Sequence, residues 1–286
     1  SGPTHLTRRL VAIADRVYVT LGYEQPVTAL DGATGKTLRA FEGSKSTEEM
    51  ILSQGVLYTL VNRGEMELKH YNPLFNTGDQ GRVAKEFHWN EKPREVVAFD
   101  ADSGRLLWKK ETKVAPLTLT SDGERAFFHD GEKVVCLNGR TGAPVWNSQP
   151  VARRAAMTFN FGPRLVVQQG VLVFAGGERT MQAFDAKTGK EMWSGPHAKG
   201  GYLSPEDLLV TGGLVWSAPT TSGKDSGIWT GLDLFTGAVK NTFPPNLDTY
   251  WFHHRCYMAK ATDNFLLASR TGVEFIDYNK KNWDIH

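Results

Sequence analysis

The sequence predicts an all-β protein, a β-propeller of four-stranded antiparallel blades. Three observations carry this. An eleven-residue pattern recurs, as AFDADSGRLLW from Ala98 to Trp108, CLNGRTGAPVW from Cys136 to Trp146 and AFDAKTGKEMW from Ala183 to Trp193. Short apolar runs precede the copies in pairs, such as Leu165 to Val167 followed by Val171 to Phe174. Helical periodicity of useful length is absent, while the aromatic and β-branched residues that strands favour are plentiful. Four short strands per unit of about 40–45 residues, repeated, are the signature of a propeller blade.

The letters of each copy explain its local structure. An apolar run ends at Asp or Asn, a Thr-Gly or Ser-Gly pair follows, and a second apolar run begins. Gly supplies the positive φ of a tight hairpin, and the Asp or Asn side chain bonds backbone amides within the turn. Two strands therefore meet at each motif, and the upstream pair of runs completes the blade. Two relatives lack the tryptophan, Ala29 to Arg39 (ALDGATGKTLR) and Gly231 to Asn241 (GLDLFTGAVKN). A sixth, Phe275 to Trp283 (FIDYNKKNW), keeps Asp and Trp across a shorter turn.

Taken in order, the blade units run over about 9–42, 49–113, 114–149, 163–197, 201–245 and 255–286, with an insertion at about 63–93 in the second. The whole of 1–286 is expected to be one propeller domain. Two readings of closure stay open: a closed six-bladed ring, or part of a ring of seven or eight blades.

Composition excludes several classes. With 33 Lys and Arg against 31 Asp and Glu, the chain has no electrostatic footprint for nucleic acid. No apolar run approaches the ~20 residues that span a bilayer, so no transmembrane segment is expected. Ser1 to Arg9 is polar and shows no signal peptide, which a mature start would hide. N-x-Ser/Thr acceptors are absent, which favours a bacterial source. Cys136 and Cys256 do not make a disulfide framework, and Cys136 stands where sister units carry Ala, as a small core residue would.

The A-x-D-x-x-T-G-x-x-x-W pattern resembles the tryptophan motif of the pyrroloquinoline-quinone-like propellers. That superfamily holds quinoprotein alcohol dehydrogenases and a lipoprotein that helps assemble outer-membrane β-barrels. The tail from His253 to Asp277 is similar to uncharacterised bacterial, planctomycete-type propellers. The resemblance implies that Trp108, Trp146 and Trp193 wedge between neighbouring blades. It also implies a periplasmic or otherwise extracytoplasmic location. The superfamily's dehydrogenases carry vicinal cysteines over a quinone; this chain has none, and no cofactor is expected.

Among candidate sites, His253-His254-Arg255-Cys256 is the most chemical stretch. In a strand, alternate residues share a face, so His254 and Cys256 are the pair that could hold zinc or copper. His253, Arg255, Trp251, His70 and His88 are the candidates for a face that meets a ligand or partner, because long loops on a rigid scaffold carry function. The connector bearing Arg153, Arg154, Phe159 and Phe161 reads as cover for apolar surface, with anion binding as its alternative. Asp100, Asp102 and Glu111 lack the remaining oxygen ligands of a calcium loop and read as turn chemistry. Hydrolase and nucleotide motifs are missing.

The function expected is a non-catalytic binding or assembly scaffold whose partner is a protein or small ligand on one propeller face. The alternatives are a quinoprotein-type dehydrogenase or a carbohydrate-active propeller. In the latter, Trp216, Trp229 and Trp251 would be sugar platforms and His253 or His254 the base.

Overall fold

The computed structural model describes residues 8–22, 24–64, 89–155, 164–177, 179–197, 207–217, 229–243, 259–268, 274–280 and 282–285. They form six four-stranded antiparallel sheets, each built from four consecutive strands paired in chain order, and no helix. These are propeller blades. Blade 1 holds β1 (Leu10–Ile13), β2 (Arg16–Thr20), β3 (Val27–Asp31) and β4 (Thr37–Ala40). Blade 2 holds β5 (Thr47–Ser53), β6 (Val56–Val61), β7 (Arg94–Asp100) and β8 (Leu106–Thr112). Blade 3 holds β9 (Thr120–Ser121), β10 (Arg125–His129), β11 (Lys133–Asn138) and β12 (Pro144–Pro150). Blade 4 holds β13 (Arg164–Gln168), β14 (Val171–Ala175), β15 (Thr180–Asp185) and β16 (Glu191–Pro196). Blade 5 holds β17 (Leu209–Thr211), β18 (Leu214–Ser217), β19 (Trp229–Asp233) and β20 (Val239–Phe243). Blade 6 holds β21 (Lys260–Ala261), β22 (Phe265–Ala268), β23 (Glu274–Asp277) and β24 (Asn282–Ile285).

The chain divides into two compact units. The first is Ser1–Val151 with Ala155–Phe159 and carries blades 1 to 3; the second is Ala152–Arg154 with Asn160–His286 and carries blades 4 to 6.

Each core is a seam between successive sheets, because a strand's alternating side chains feed both faces. Tyr18, Val27, Ala29 and Phe41 of blade 1 meet Met50, Leu57, Val61, Val97 and Phe99 of blade 2. The opposite face of blade 2 sets Tyr58, Val96, Ala98 and Trp108 against Leu119, Ala126, Phe128 and Leu137 of blade 3. In the second unit Val173, Ala183 and Trp193 pack on Leu208, Val215 and Leu232, and Trp216 and Trp229 pack on Leu266, Ile276 and Tyr278.

The third and fourth strands of blades 1 to 5 slip register at one equivalent place, after Ala29, Ala98, Cys136, Ala183 and Gly231. In blades 1, 2, 4 and 5 this bulge bends the outer strand and aims the residue in the tryptophan position at the next blade. The turn that follows needs its glycine. Gly35, Gly104, Gly142, Gly189 and Gly237 all sit at φ between 70° and 74°, a left-handed conformation that other residues adopt only with strain.

Candidate functional site

The motif turns are capped by one carboxylate or amide oxygen each. Asp31 Oδ1 accepts from the amide and hydroxyl of Thr34 at 2.8 and 2.7 Å, and Asp100 does the same with Ser103 at 2.8 and 2.7 Å. Asn138, Asp185 and Asp233 repeat the arrangement with Thr141, Thr188 and Thr236. These bonds favour the ionised form and hold the carboxyls of Asp31, Asp100 and Asp233 below the usual carboxylate range. Asp102 pairs with Arg16 of blade 1. Neither carboxylate of the D-A-D-S-G turn is therefore left to a cation.

The tryptophan position forms a latch onto the following blade's turn. Trp108 Nε1 donates to the Gly139 carbonyl at 2.8 Å, and Trp193 Nε1 donates to the equivalent Leu234 carbonyl at 2.9 Å. Their indoles lie flat on the turn glycines. A Cβ on Gly142 would come within 2.7 Å of Trp108, and one on Gly237 within 2.8 Å of Trp193. The units that lost tryptophan keep the donor. Asn241 Nδ2 bonds the Tyr278 carbonyl at 3.0 Å, the same turn position in blade 6. Arg39 covers Gly104 and donates to the Ser103 carbonyl. Trp108 and Trp193 are buried, whereas Trp146 is half-buried against Phe127 of its own blade, with ring centroids 5.9 Å apart.

A second column of polar residues stands at the start of the innermost strands. Register places Arg9, Glu49 and Thr118 at equivalent positions in the first unit, and Arg164 and Asp207 in the second; all are buried. Glu49 accepts from Arg8 at 2.7 Å and from the Leu117 amide at 2.9 Å, while Arg8 also reaches the Leu119 carbonyl at 3.0 Å. One ion pair thus ties the inner strands of three blades. Asp207 Oδ2 accepts from the Ala259 amide at 3.1 Å, joining blades 5 and 6. The Asp207 carbonyl accepts from His197 Nε2 at 2.7 Å. Burial pushes the His197 imidazole down to about 4; the bond to Asp207 opposes this, and the Arg164 and Arg154 guanidiniums add to the lowering.

The insertion at about 63–93 leaves blade 2 at this same end, between β6 and β7, and its root is pinned by charge. Arg94 donates to Glu48 at 2.7 Å, Asn62 donates to Glu48 at 2.8 Å, and Arg63 pairs with Glu95. Trp89 is buried beside Ala115. These bonds fix the two ends of the insertion, at Asn62 and Arg63 and at Arg94 and Glu95, beside the inner strands. Sequence reading passed over Glu48, Arg94 and Glu49, because isolated charges in a strand carry no motif. For Glu49 the signal was a polar residue recurring at one repeat position, as Arg9, Thr118, Arg164 and Asp207 do; Glu48 and Arg94 carried none.

His70, His88, Trp251, His253, His254, Arg255 and Cys256 lie outside the described residues. So do Phe159 and Phe161, while Arg154 is anchored through its amide and guanidinium to the Gly176 and Gly177 carbonyls at 2.8 and 3.1 Å. Trp216 and Trp229 are buried in the core between blades 5 and 6, which rules them out as sugar platforms. Among the described residues no cluster of His, Cys, Asp and Glu could hold a metal ion. Burial pushes the Cys136 thiol up to about 12, so it is a packed, unreactive group. No helix of the described residues is long and apolar enough to cross a membrane.

Residues 92–243 match the family described as outer membrane protein assembly factor BamB, more than half of the chain. The chain belongs to this family, whose repeat is the pyrroloquinoline-quinone-like propeller unit. It is 28% identical over 138 residues to the outer membrane protein assembly factor BamB of Burkholderia pseudomallei (strain K96243), covering 43% of this chain and 35% of that one. It is 29% identical over 140 residues to a quinoprotein ethanol dehydrogenase of Pseudomonas putida, covering 41% of this chain and 22% of that one. The matched stretch thus spans about a third or less of these relatives' length. The crystal structure of BamB from Moraxella catarrhalis superposes with a TM-score of 0.58 at 15% identity, covering 95% of this chain and 70% of that one. The likeness shows a shared fold.

Proposed function

We propose that this member of the BamB family is a non-catalytic propeller scaffold that acts outside the cytoplasm and binds protein. The observation that carries the reading is the family match across 92–243, joined to the use the structure makes of its polar residues. Glu49, Asp207, Arg94 and the motif aspartates all bond within or between blades. That pattern fits a rigid platform whose loops meet a partner.

The dehydrogenase relatives raise the alternative of a bound quinone. A quinone held at the inner strands would need free oxygen ligands and an arginine converging there. Both Glu49 oxygens are engaged, by Arg8 and by the Leu117 amide, and Arg8 itself bridges to Leu119. The one described cysteine, Cys136, is in the core. Among the described residues, Glu49, Arg8 and Cys136 do not fit the group.

Photo-crosslinking from Lys92, an exposed residue at the root of the insertion, tests the scaffold reading in cells. The expected result is an adduct with a cell-envelope protein. Absence of any adduct, together with dye-linked alcohol oxidation after loading with pyrroloquinoline quinone and calcium, would reverse it.

A further inference from the structure

The motif turns of blades 1, 2, 4, 5 and 6 carry an acid at the capping position, Asp31, Asp100, Asp185, Asp233 and Asp277, and blade 3 carries an amide, Asn138. The residue after it is Gly139, and this is the single Asn-Gly pair in the chain. Packing imposes the glycine. A Cβ there would stand 2.5 Å from the Tyr58 hydroxyl oxygen and 2.9 Å from the Glu124 carbonyl oxygen. Nothing imposes the amide, because the acids of the sister turns make the same cap. Blade 3 therefore joins a thermolabile side chain to a following nitrogen that no side chain shields.

That pair has a chemistry of its own. Once it has lost its proton, the Gly139 nitrogen can attack the carbonyl carbon of the Asn138 side chain. The N–Cγ bond forms and the Cγ–Nδ2 bond breaks. Ammonia leaves, taking from solvent a proton in place of the one Gly139 gave up. Water then opens the cyclic imide at either carbonyl, giving aspartate or β-linked isoaspartate. In the closed blade every participant is held. Asn138 Oδ1 accepts from the Arg140 amide, the Thr141 amide and the Thr141 hydroxyl at 3.0, 2.9 and 3.0 Å. The Gly139 amide donates its proton to the Glu124 carbonyl at 2.7 Å. The Gly139 carbonyl accepts from Trp108 Nε1 at 2.8 Å and from the Tyr58 hydroxyl at 3.1 Å, both from blade 2. Asn138 is exposed and Gly139 is buried, so the side chain meets water and the nucleophile does not.

We propose that Asn138 and Gly139 form a self-modification site gated by the latch between blades 2 and 3. It is silent while Trp108 and Tyr58 hold the Gly139 carbonyl, and it converts through the imide to aspartate or isoaspartate when that latch opens. Local openings of this kind belong to the low-energy end of a fold's fluctuations. The two products differ in consequence. Aspartate is the residue the sister turns carry, so it refills the cap and the blade recloses. Isoaspartate inserts an extra carbon into the main chain ahead of the Gly139 nitrogen. The cap and the Gly139 carbonyl then cannot both regain their partners. An opening that ends in isoaspartate leaves the seam between blades 2 and 3 permanently weakened.

Peptide mapping after timed incubation in mildly alkaline buffer, resolving the asparagine, aspartate and isoaspartate forms of this turn, is the test. In urea the conversion should run freely, and in the folded native chain it should be slower by at least about tenfold. Trp108→Ala should convert faster than the native chain while folded. Tyr58→Phe, which keeps the ring and removes only the hydroxyl, should do so as well and serves if the tryptophan variant does not fold. Trp193→Ala removes the corresponding latch between blades 4 and 5 and should leave the Asn138 rate at its native value. Conversion as fast in the folded native chain as in urea overturns the proposal, and so does no conversion in urea. An unchanged rate in the folded latch variants overturns it as well. Equal acceleration by Trp193→Ala would do the same, since the site would then report loss of the whole fold. Asn138→Asp should melt with the native chain; melting well below it would overturn the claim that aspartate refills the cap.

Discussion

Trp108 and Arg39 hold the same place in neighbouring blades and make the same kind of bond, yet one is buried and the other is exposed. The difference separates two jobs that the tryptophan motif combines. One is to donate a hydrogen bond to a carbonyl of the next blade's turn. The other is to cover that turn's glycine with apolar surface. Arg39 and Asn241 retain the first job and reduce the second, so blades 1, 2, 4 and 5 all supply a donor but only blades 2 and 4 supply it from an indole.

The largest break in this comparison is Trp108→Ala. It removes an indole seated on Gly142, tilted against Tyr58 with ring centroids 6.1 Å apart, and leaves the Gly139 carbonyl with the Tyr58 hydroxyl, at 3.1 Å, in place of two donors. The expected loss is about 3–5 kcal/mol, as for other aromatic truncations in cores. Arg39→Ala should cost about 0.5–1.5 kcal/mol, the range for a single hydrogen bond. Urea melts of the two variants check the contrast. Equal losses would show that the donor alone matters.

A second repeat column sharpens the point through pH. Phe41, Val151 and His197 each close an outer strand with the same backbone bond, to Val27, Glu132 and Arg179, and each is buried. Only the histidine can charge. Its folded pKa of about 4 lies below the usual value of 6.5, so the unfolded chain binds the proton more readily. The stability linked to a neutral His197 is fully present above about pH 6.5, falls as pH drops through that window, and is lost below about pH 4. The loss should reach about 3 kcal/mol at the acid end. Melting temperatures at pH 7 and pH 5 should diverge for the native chain and converge for His197→Phe, which installs the side chain blade 1 uses at this place. A native profile flat across that interval would show that His197 is not desolvated as described.

The blades were legible in the sequence because their rules are local. Asp, Thr and Gly at fixed spacing dictate a capped hairpin wherever they occur, and alternation of apolar residues dictates which faces are buried. Trp216 and Trp229 show where that stops. Alone in the sequence they resemble sugar platforms; in the sheet they fill the seam onto Ile276 and Tyr278. Glu49 and Asp207 were illegible for the opposite reason. Each is a lone acid whose partner, an amide from the next blade, lies 68 or 52 residues away. Such pairing follows from stacking, which no local pattern encodes.

A small expected effect is the most discriminating. Asn241 stands where blades 2 to 4 carry tryptophan, and its side-chain amide reaches the Tyr278 carbonyl at 3.0 Å. Tyr278 in turn packs against Trp216, with ring centroids 5.7 Å apart, so this bond fixes the turn that completes the seam between blades 5 and 6. Asn241→Leu keeps the side chain's size and removes the donor, leaving the Tyr278 carbonyl short of a partner. A loss of about 1 kcal/mol is expected. Asn241→Trp restores the donor and adds the cover that Trp193 provides over Gly237 one blade earlier. It should therefore at least match the native chain. Should the leucine variant prove as stable as the native chain while the tryptophan variant is weakened, the latch at this blade would owe nothing to hydrogen bonding, and the separation of donor from cover would fail where it is most exposed to test.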